Sequence, residues 1–174
     1  LARHLLDVSQ LVGKAIDVFA REGYVAPAEE PDAVTISVAP GSERLSLLED
    51  FPELKPEHFE KLPLLLTTKG KTTTDHISPA GPWLRYRGHL DNISDNMFTG
   101  AINAFTEAAG STLNQLDGER DVAVPKVARA YKANGDRWIV VGDENYGEGS
   151  SREHAAMSPR LLGAAAVIVR SFAR

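Results

Sequence analysis

The stretch RWIVVGDENYGEGSSREHAAMSPRLLGAAAVIVRSF, residues 137–172, decides the fold. It opens on RWIVVGD (137–143), an apolar β-branched run too short for a helix and closed by Gly142, which reads as a buried strand. A loop holding Gly147 and Gly149 follows, and then SREHAAMSPRLLG (151–163), which has the spacing of a helix. AAAVIVRSF (164–172) is a second buried strand. Two buried strands joined by a helix form a βαβ-like unit, which requires a sheet that is at least partly parallel.

Outward from this unit the chain continues in the same style. VPKVARAYKANG (124–135) predicts a helix, with Pro125 in its first turn, Lys132 in its last and Gly135 as its stop. LPLLLTT (62–68) predicts a buried strand and VTISV (34–38) a short one. SERLSLLEDF (42–51) and EHFEKL (57–62) read as helical or irregular. KGKTTTDHISPAGP (69–82) is too rich in turn residues for a regular element. A helix is expected in 91–106, opening behind Asp91 or Asn92, and a variable surface loop from Gly110 to Asp121. At the N-terminus, Leu5, Val8, Val12, Ala15, Ile16 and Phe19 make a helical stripe ended by Gly23, and 24–33 reads as a proline-rich acidic linker or surface loop.

Composition bounds the function. Of 174 residues, 43% are hydrophobic and 25% charged, as in a soluble globular protein. The net charge of −5 and absence of a basic cluster argue against nucleic acid as a partner. No apolar run approaches the length of a membrane span, so no membrane partner is expected. There are no cysteines, which excludes disulfides, a thiol nucleophile and thiolate ligation of a metal by this chain. The five histidines show no metal-ligand spacing. The chain begins at Leu1 without a signal-peptide pattern, and a fragment or processed chain is expected.

The chemistry centres on GDENYGEGSSREH (142–154). Ser150 and Glu153 match the S-x-x-E capping box, so one serine can cap the helix while the other hydroxyl stays free. Arg152 lies in the first turn, where a cation is unfavourable unless an anion is near. That anion is either an internal carboxylate, at Glu148, Glu144 or Asp143, or a bound carboxylate or phosphate. The P-loop, the dinucleotide fingerprint and the hydrolase elbow all fail here, the second because Arg152 stands at its third glycine. A serine could serve as a base only if helix N–H groups and cations stabilised its alkoxide. In TTTDHISPAGPWLRYRGHLDNIS (72–94), Asp75 and His76 are an acid/base pair or, for Asp75, a turn carboxylate. Arg85 and Arg87 would share one face of a strand; they are either simply solvated or, with the serines, suited to a polycarboxylate.

KTTTDHISPAGPWLRYRGHLDNISDN (71–96) and WIVVGDENYGEGSSREHAAMSPRLLGAAAVIVRSFAR (138–174) closely resemble the C-terminal swivel domain of the aconitase family. The likeness starts near residue 40, in PGSERLSLLEDF. The small subunit of isopropylmalate isomerases shares the G-x-G-S-S-R-E-H core but not the DHISPAGPWLRYRGHLDNIS run. The resemblance implies an α/β fold of the swivelling β/β/α type over 33–174, continuing past its C-terminal residue, behind an N-terminal helix and linker at 1–32. It implies a hydro-lyase of the aconitate hydratase type, isomerising citrate and isocitrate through cis-aconitate. Ser150 matches the serine whose alkoxide moves the proton, and Asp75 an active-site aspartate; these are the expected catalytic residues. Arg87, Ser151 and Arg152 match substrate-binding positions. Thr72 stands where the family often has a cysteine that is not a cluster ligand. The 4Fe–4S cluster implied for the complete enzyme is bound by residues absent from this chain, so cluster-bearing domains or a large subunit are the expected partners and the isolated chain is expected to be inactive. His76, His89 and His154 match motif histidines with packing or loop hydrogen bonds rather than chemistry. The alternatives are a detached small subunit of an isopropylmalate isomerase-like enzyme, or a non-catalytic interaction domain. Mitochondrial matrix and bacterial cytoplasm are equally compatible with these residues.

Overall fold

The computed structural model describes residues 26–174, so the helix expected over 1–22 lies outside the described residues. The chain divides into two units, Leu1–Ser37 and Val38–Arg174. In the described part of the first, a single 3-10 turn, Pro31–Ala33, interrupts coil. The strand expected at 34–38 is not formed. Val34 and Ile36 are 62% and 75% exposed. β-branched residues favour a pleated surface only where a neighbouring strand packs against them, and this segment has none among the described residues.

The second unit is built on a parallel sheet of three strands, β1 (Leu64–Thr67), β4 (Trp138–Val141) and β5 (Ala164–Ile168), in the order β1-β4-β5. This is the α/β class the sequence predicts. α3 (Val124–Asn134) buries Val124, Val127, Ala128 and Tyr131, which recur at helical spacing, and it packs on β1. It ends where Gly135 adopts φ +86°, a left-handed cap that a side chain would strain. α4 (Glu153–Leu161) joins β4 to β5. Trp138 is fully buried, and its indole N–H donates to the Leu162 carbonyl at 2.7 Å, fastening β4 to the end of α4.

Three expectations are corrected. The segment 69–82 contains a one-turn helix, α1 (Thr74–Ile77), held by the backbone of Thr73 and the ring of His76. The helix expected in 91–106 starts at Leu90 and lasts one turn, α2 (Leu90–Ile93), followed by the 3-10 turn Ser94–Asn96. It stops because Asn96, fully buried, uses its amide on Ser78 Oγ and the Pro79 carbonyl, both at 2.8 Å, and the chain then turns inward through Phe98 at φ +58°. The expected loop from Gly110 to Asp121 contributes a short ribbon, β2 (Ser111–Thr112) against β3 (Val122–Ala123). Its neighbours are structural: Thr112 Oγ1 donates to the Leu65 carbonyl at 2.6 Å and Gln115 Nε2 to the Leu64 carbonyl at 2.8 Å, which covers the outer edge of β1. Two-residue strands held by polar side chains leave no periodicity in a sequence.

Candidate active site

The loop between β4 and α4 is bolted to the segment that precedes α1. Gly147 N–H donates to the Thr72 carbonyl at 2.7 Å, and Thr74 N–H to the Glu148 carbonyl at 2.9 Å. The Glu148 carboxylate takes the Asn145 amide and the Lys71 ammonium. Gly149, at φ +124°, lies against Thr74; a Cβ there would come within 2.8 Å of Thr74 Oγ1. Only glycine fits both the torsion and the space.

This arrangement leaves Ser150, Ser151 and Arg152 on one wall of a groove of about 600 Å³, with Thr74 and Tyr146 also lining it. Both serines are exposed, and neither hydroxyl has a protein partner among the described residues. The expected capping box is not made. Arg152 is the N-cap of α4, in extended backbone, and no side chain caps the helix. The helix therefore starts too late for Ser150 to reach its first turn, and both hydroxyls remain available.

The internal anion beside Arg152 is none of the three carboxylates expected. Glu148 is taken by Lys71, and Asp143 by Arg170. The partner is Asp75, 77 residues away in sequence, with Arg152 Nη1 2.6 Å from Asp75 Oδ1 and 3.0 Å from the Ser78 carbonyl. The Arg152 side chain is only 10% exposed, against 64% for Asp75. The Arg152 hydrogen bond holds the Asp75 carboxyl below its ordinary range. Two residues singled out in separate motifs thus meet. A guanidinium has five donors, so the ion pair leaves others of Arg152 for a ligand.

Other expectations are corrected. Asp75 and His76 are not a pair: His76 Nδ1 accepts from the Thr73 N–H at 3.0 Å. His89 does the same for Asn92, at 3.3 Å. Arg85 and Arg87 are not on a strand, because Gly81–Tyr86 is a 3-10 helix and Arg87 its C-cap. Positions two apart point different ways in such a helix. Arg85 lies over the Tyr86 ring at 4.5 Å. Arg87 is exposed and is not on the groove wall, although its charge acts on His154 in the first turn of α4.

His154 is 5% exposed, and its Nε2 is buried without a partner among the described residues. Burial, then the charges of Arg152 and Arg87, push its pKa below 6.5, and Glu153 opposes them more weakly. A folded pKa below the unfolded one means that the unfolded chain takes up the proton first. Stability is therefore fully present above about pH 6.5 and falls as pH drops below it. Thermal melts between about pH 7.5 and 5 are expected to show this decline in the native protein and a flatter profile in His154→Gln. Asp75 acts in a separate window, since its stabilisation is lost only as pH falls past its lowered pKa. Equal slopes for the two proteins between about pH 6.5 and 5 would remove His154 from this role.

Residues 62–174 match the family described as Aconitase C-terminal domain. The chain is 56% identical over 154 residues to "Aconitate hydratase, mitochondrial" of Aspergillus fumigatus, covering 88% of this chain and 19% of that protein. It is 52% identical over 151 residues to the protein of the same name from Saccharomyces cerevisiae, covering 87% and 19%. Against "Probable aconitate hydratase, mitochondrial" of Caenorhabditis elegans it is 57% identical over 139 residues, covering 80% and 18%. The chain thus spans about a fifth of the length of the curated relatives it matches.

Proposed function

Because the chain belongs to the Aconitase C-terminal domain family, we propose that it supplies the proton-transfer and carboxylate-binding part of an aconitate hydratase. The reaction is the isomerisation of citrate and isocitrate through cis-aconitate. The observation that carries this is the grouping of Ser150, Ser151 and Arg152 on one groove wall, with both hydroxyls free of protein partners among the described residues and the guanidinium already oriented by Asp75.

Ser150 is the base. Its alkoxide takes a proton from the substrate carbon beside a carboxylate, and the C–H electron pair becomes the double bond of cis-aconitate as the C–O bond of the neighbouring hydroxyl breaks. That hydroxyl leaves as water with a proton supplied by an acid outside this chain. In the reverse direction Ser150 returns the proton to carbon. Arg152 binds a substrate carboxylate with the donors that Asp75 leaves free and lends positive charge to the alkoxide. Ser151 donates to the same substrate; Arg87, which lies off this groove wall, takes a second carboxylate as the family resemblance implies. Asp75 acts by fixing Arg152.

The family implies an iron–sulfur cluster in the full enzyme. The residues present here do not fit one: the sequence has no cysteine, and no group of three His, Asp or Glu among the described residues can hold a metal ion. Residues outside this chain would bind it, and cluster-bearing domains are accordingly its proposed partner. The mitochondrial names of the relatives support the mitochondrial matrix as the compartment.

Arg152→Lys is expected to raise KM for citrate about tenfold or more, because an ammonium cannot hold Asp75 and a carboxylate in one plane. Steady-state kinetics on the native protein that carries this chain measures it. An unchanged kcat/KM would exclude Arg152 from substrate binding.

A further inference from the structure

Thr74 is a groove-lining side chain buried against the serine loop with a polar atom left over among the described residues. It is 8% exposed, and its Oγ1 has no partner among the described residues. Buried hydroxyls are rarely left so. Thr74 is the first residue of α1, so no preceding helical turn offers it a carbonyl. Its backbone N–H is spent on Glu148, and its carbonyl accepts from the Ser78 N–H at 2.8 Å. The backbone is fixed from both sides while the hydroxyl stays unspent.

The position of that hydroxyl is specific. It lies beneath Gly149, where a Cβ would approach it to 2.8 Å, and Ser150 is the next residue. Asp75, the residue after Thr74, holds Arg152, the second residue after Ser150. The two segments therefore run against each other with Thr74 opposite the Gly149–Ser150 junction. A methyl group would fill the same space but offer nothing to an anion.

We propose that Thr74 is a positioning residue for Ser150: its hydroxyl donates to the Ser150 oxygen once that oxygen is deprotonated, which gives the buried hydroxyl its missing partner and holds the alkoxide for proton transfer. This rests on the proton-transfer role of Ser150. It adds a neutral donor to the stabilisation that Arg152 gives by charge. A hydrogen bond made only to the charged form of Ser150 acts on the chemical step and not on substrate binding.

The test compares Thr74→Val, which keeps the shape, with Thr74→Ser, which keeps the hydroxyl, in the native protein with its cluster loaded. Wild type and Ser150→Ala are assayed alongside. Thr74→Val is expected to lower kcat about tenfold with KM within about twofold. The deuterium isotope effect on the abstracted proton is expected to rise, because proton transfer becomes more nearly rate-limiting, and Thr74→Ser is expected to recover most of the rate. Unchanged kcat in Thr74→Val would overturn the proposal. So would a Thr74→Ser protein as slow as Thr74→Val, an unchanged isotope effect, or a Thr74→Val protein that does not fold, since the hydroxyl would then serve structure. If wild type has no hydro-lyase activity, or Ser150→Ala retains it, the fault lies with the role of Ser150 and not with Thr74.

Discussion

Ser150→Ala is expected to lower kcat for citrate dehydration about a thousandfold, with KM changed by less than about threefold. The proposed base would be gone while Arg152 and Ser151 remain to bind substrate. The melting temperature is expected to stay within about 2 °C, because Ser150 is exposed and its hydroxyl makes no hydrogen bond among the described residues. Ser151→Ala provides the contrast. It should act mainly on KM, since that hydroxyl is assigned to binding. A Ser150→Ala protein that keeps most of its kcat would place the base elsewhere, and a large fall in stability would mean that the serine is structural.

Trp138→Ala is expected to destabilise the domain by about 3–5 kcal/mol. Trp138 is fully buried at the start of β4, between β1 and β5 in the sheet order, and its indole N–H satisfies the Leu162 carbonyl. The alanine variant would leave a cavity and an unpaired carbonyl together. Domains of this size are stable by only about 5–15 kcal/mol, so the change would remove a large part of the total. Urea unfolding followed by circular dichroism measures it. Trp138→Phe keeps most of the packing and loses the hydrogen bond, so a smaller effect of about 1–2 kcal/mol is expected. An alanine variant with an unmoved midpoint would mean that the β4–α4–β5 unit is not the centre of the core.

The parts of the fold that were legible in the sequence are those whose signal is local. α3 shows its apolar stripe, its proline and its glycine stop, and the helix forms from Val124 to Asn134. The runs 62–68, 137–143 and 164–172 are apolar and β-branched, and each contains a strand of the parallel sheet. α1 and α2 were not legible because each is a single turn held by a histidine ring accepting from a backbone N–H. The run 34–38 has strand composition but no strand beside it among the described residues, and composition alone does not make a ladder.

In the site, residue types were easier to read than partners. Ser150, Ser151, Arg152 and Asp75 all stood out in their motifs, and three of them line one groove while the fourth holds Arg152. The pairing of Arg152 with Asp75 spans 77 residues, so nothing in either motif could announce it. Nearby carboxylates looked like partners for Arg152, but Lys71 and Arg170 occupy two of them. Thr74 was one of three successive threonines, and its unpartnered buried hydroxyl and the close approach of Gly149, neither visible in the sequence, set it apart.

The most direct test is to give cis-aconitate to the native protein that carries this chain, with its cluster loaded, and to follow the products. The expected result is hydration to citrate and isocitrate. A loaded, folded protein that leaves cis-aconitate unchanged would contradict the assignment of Ser150 and Arg152 to aconitate hydration.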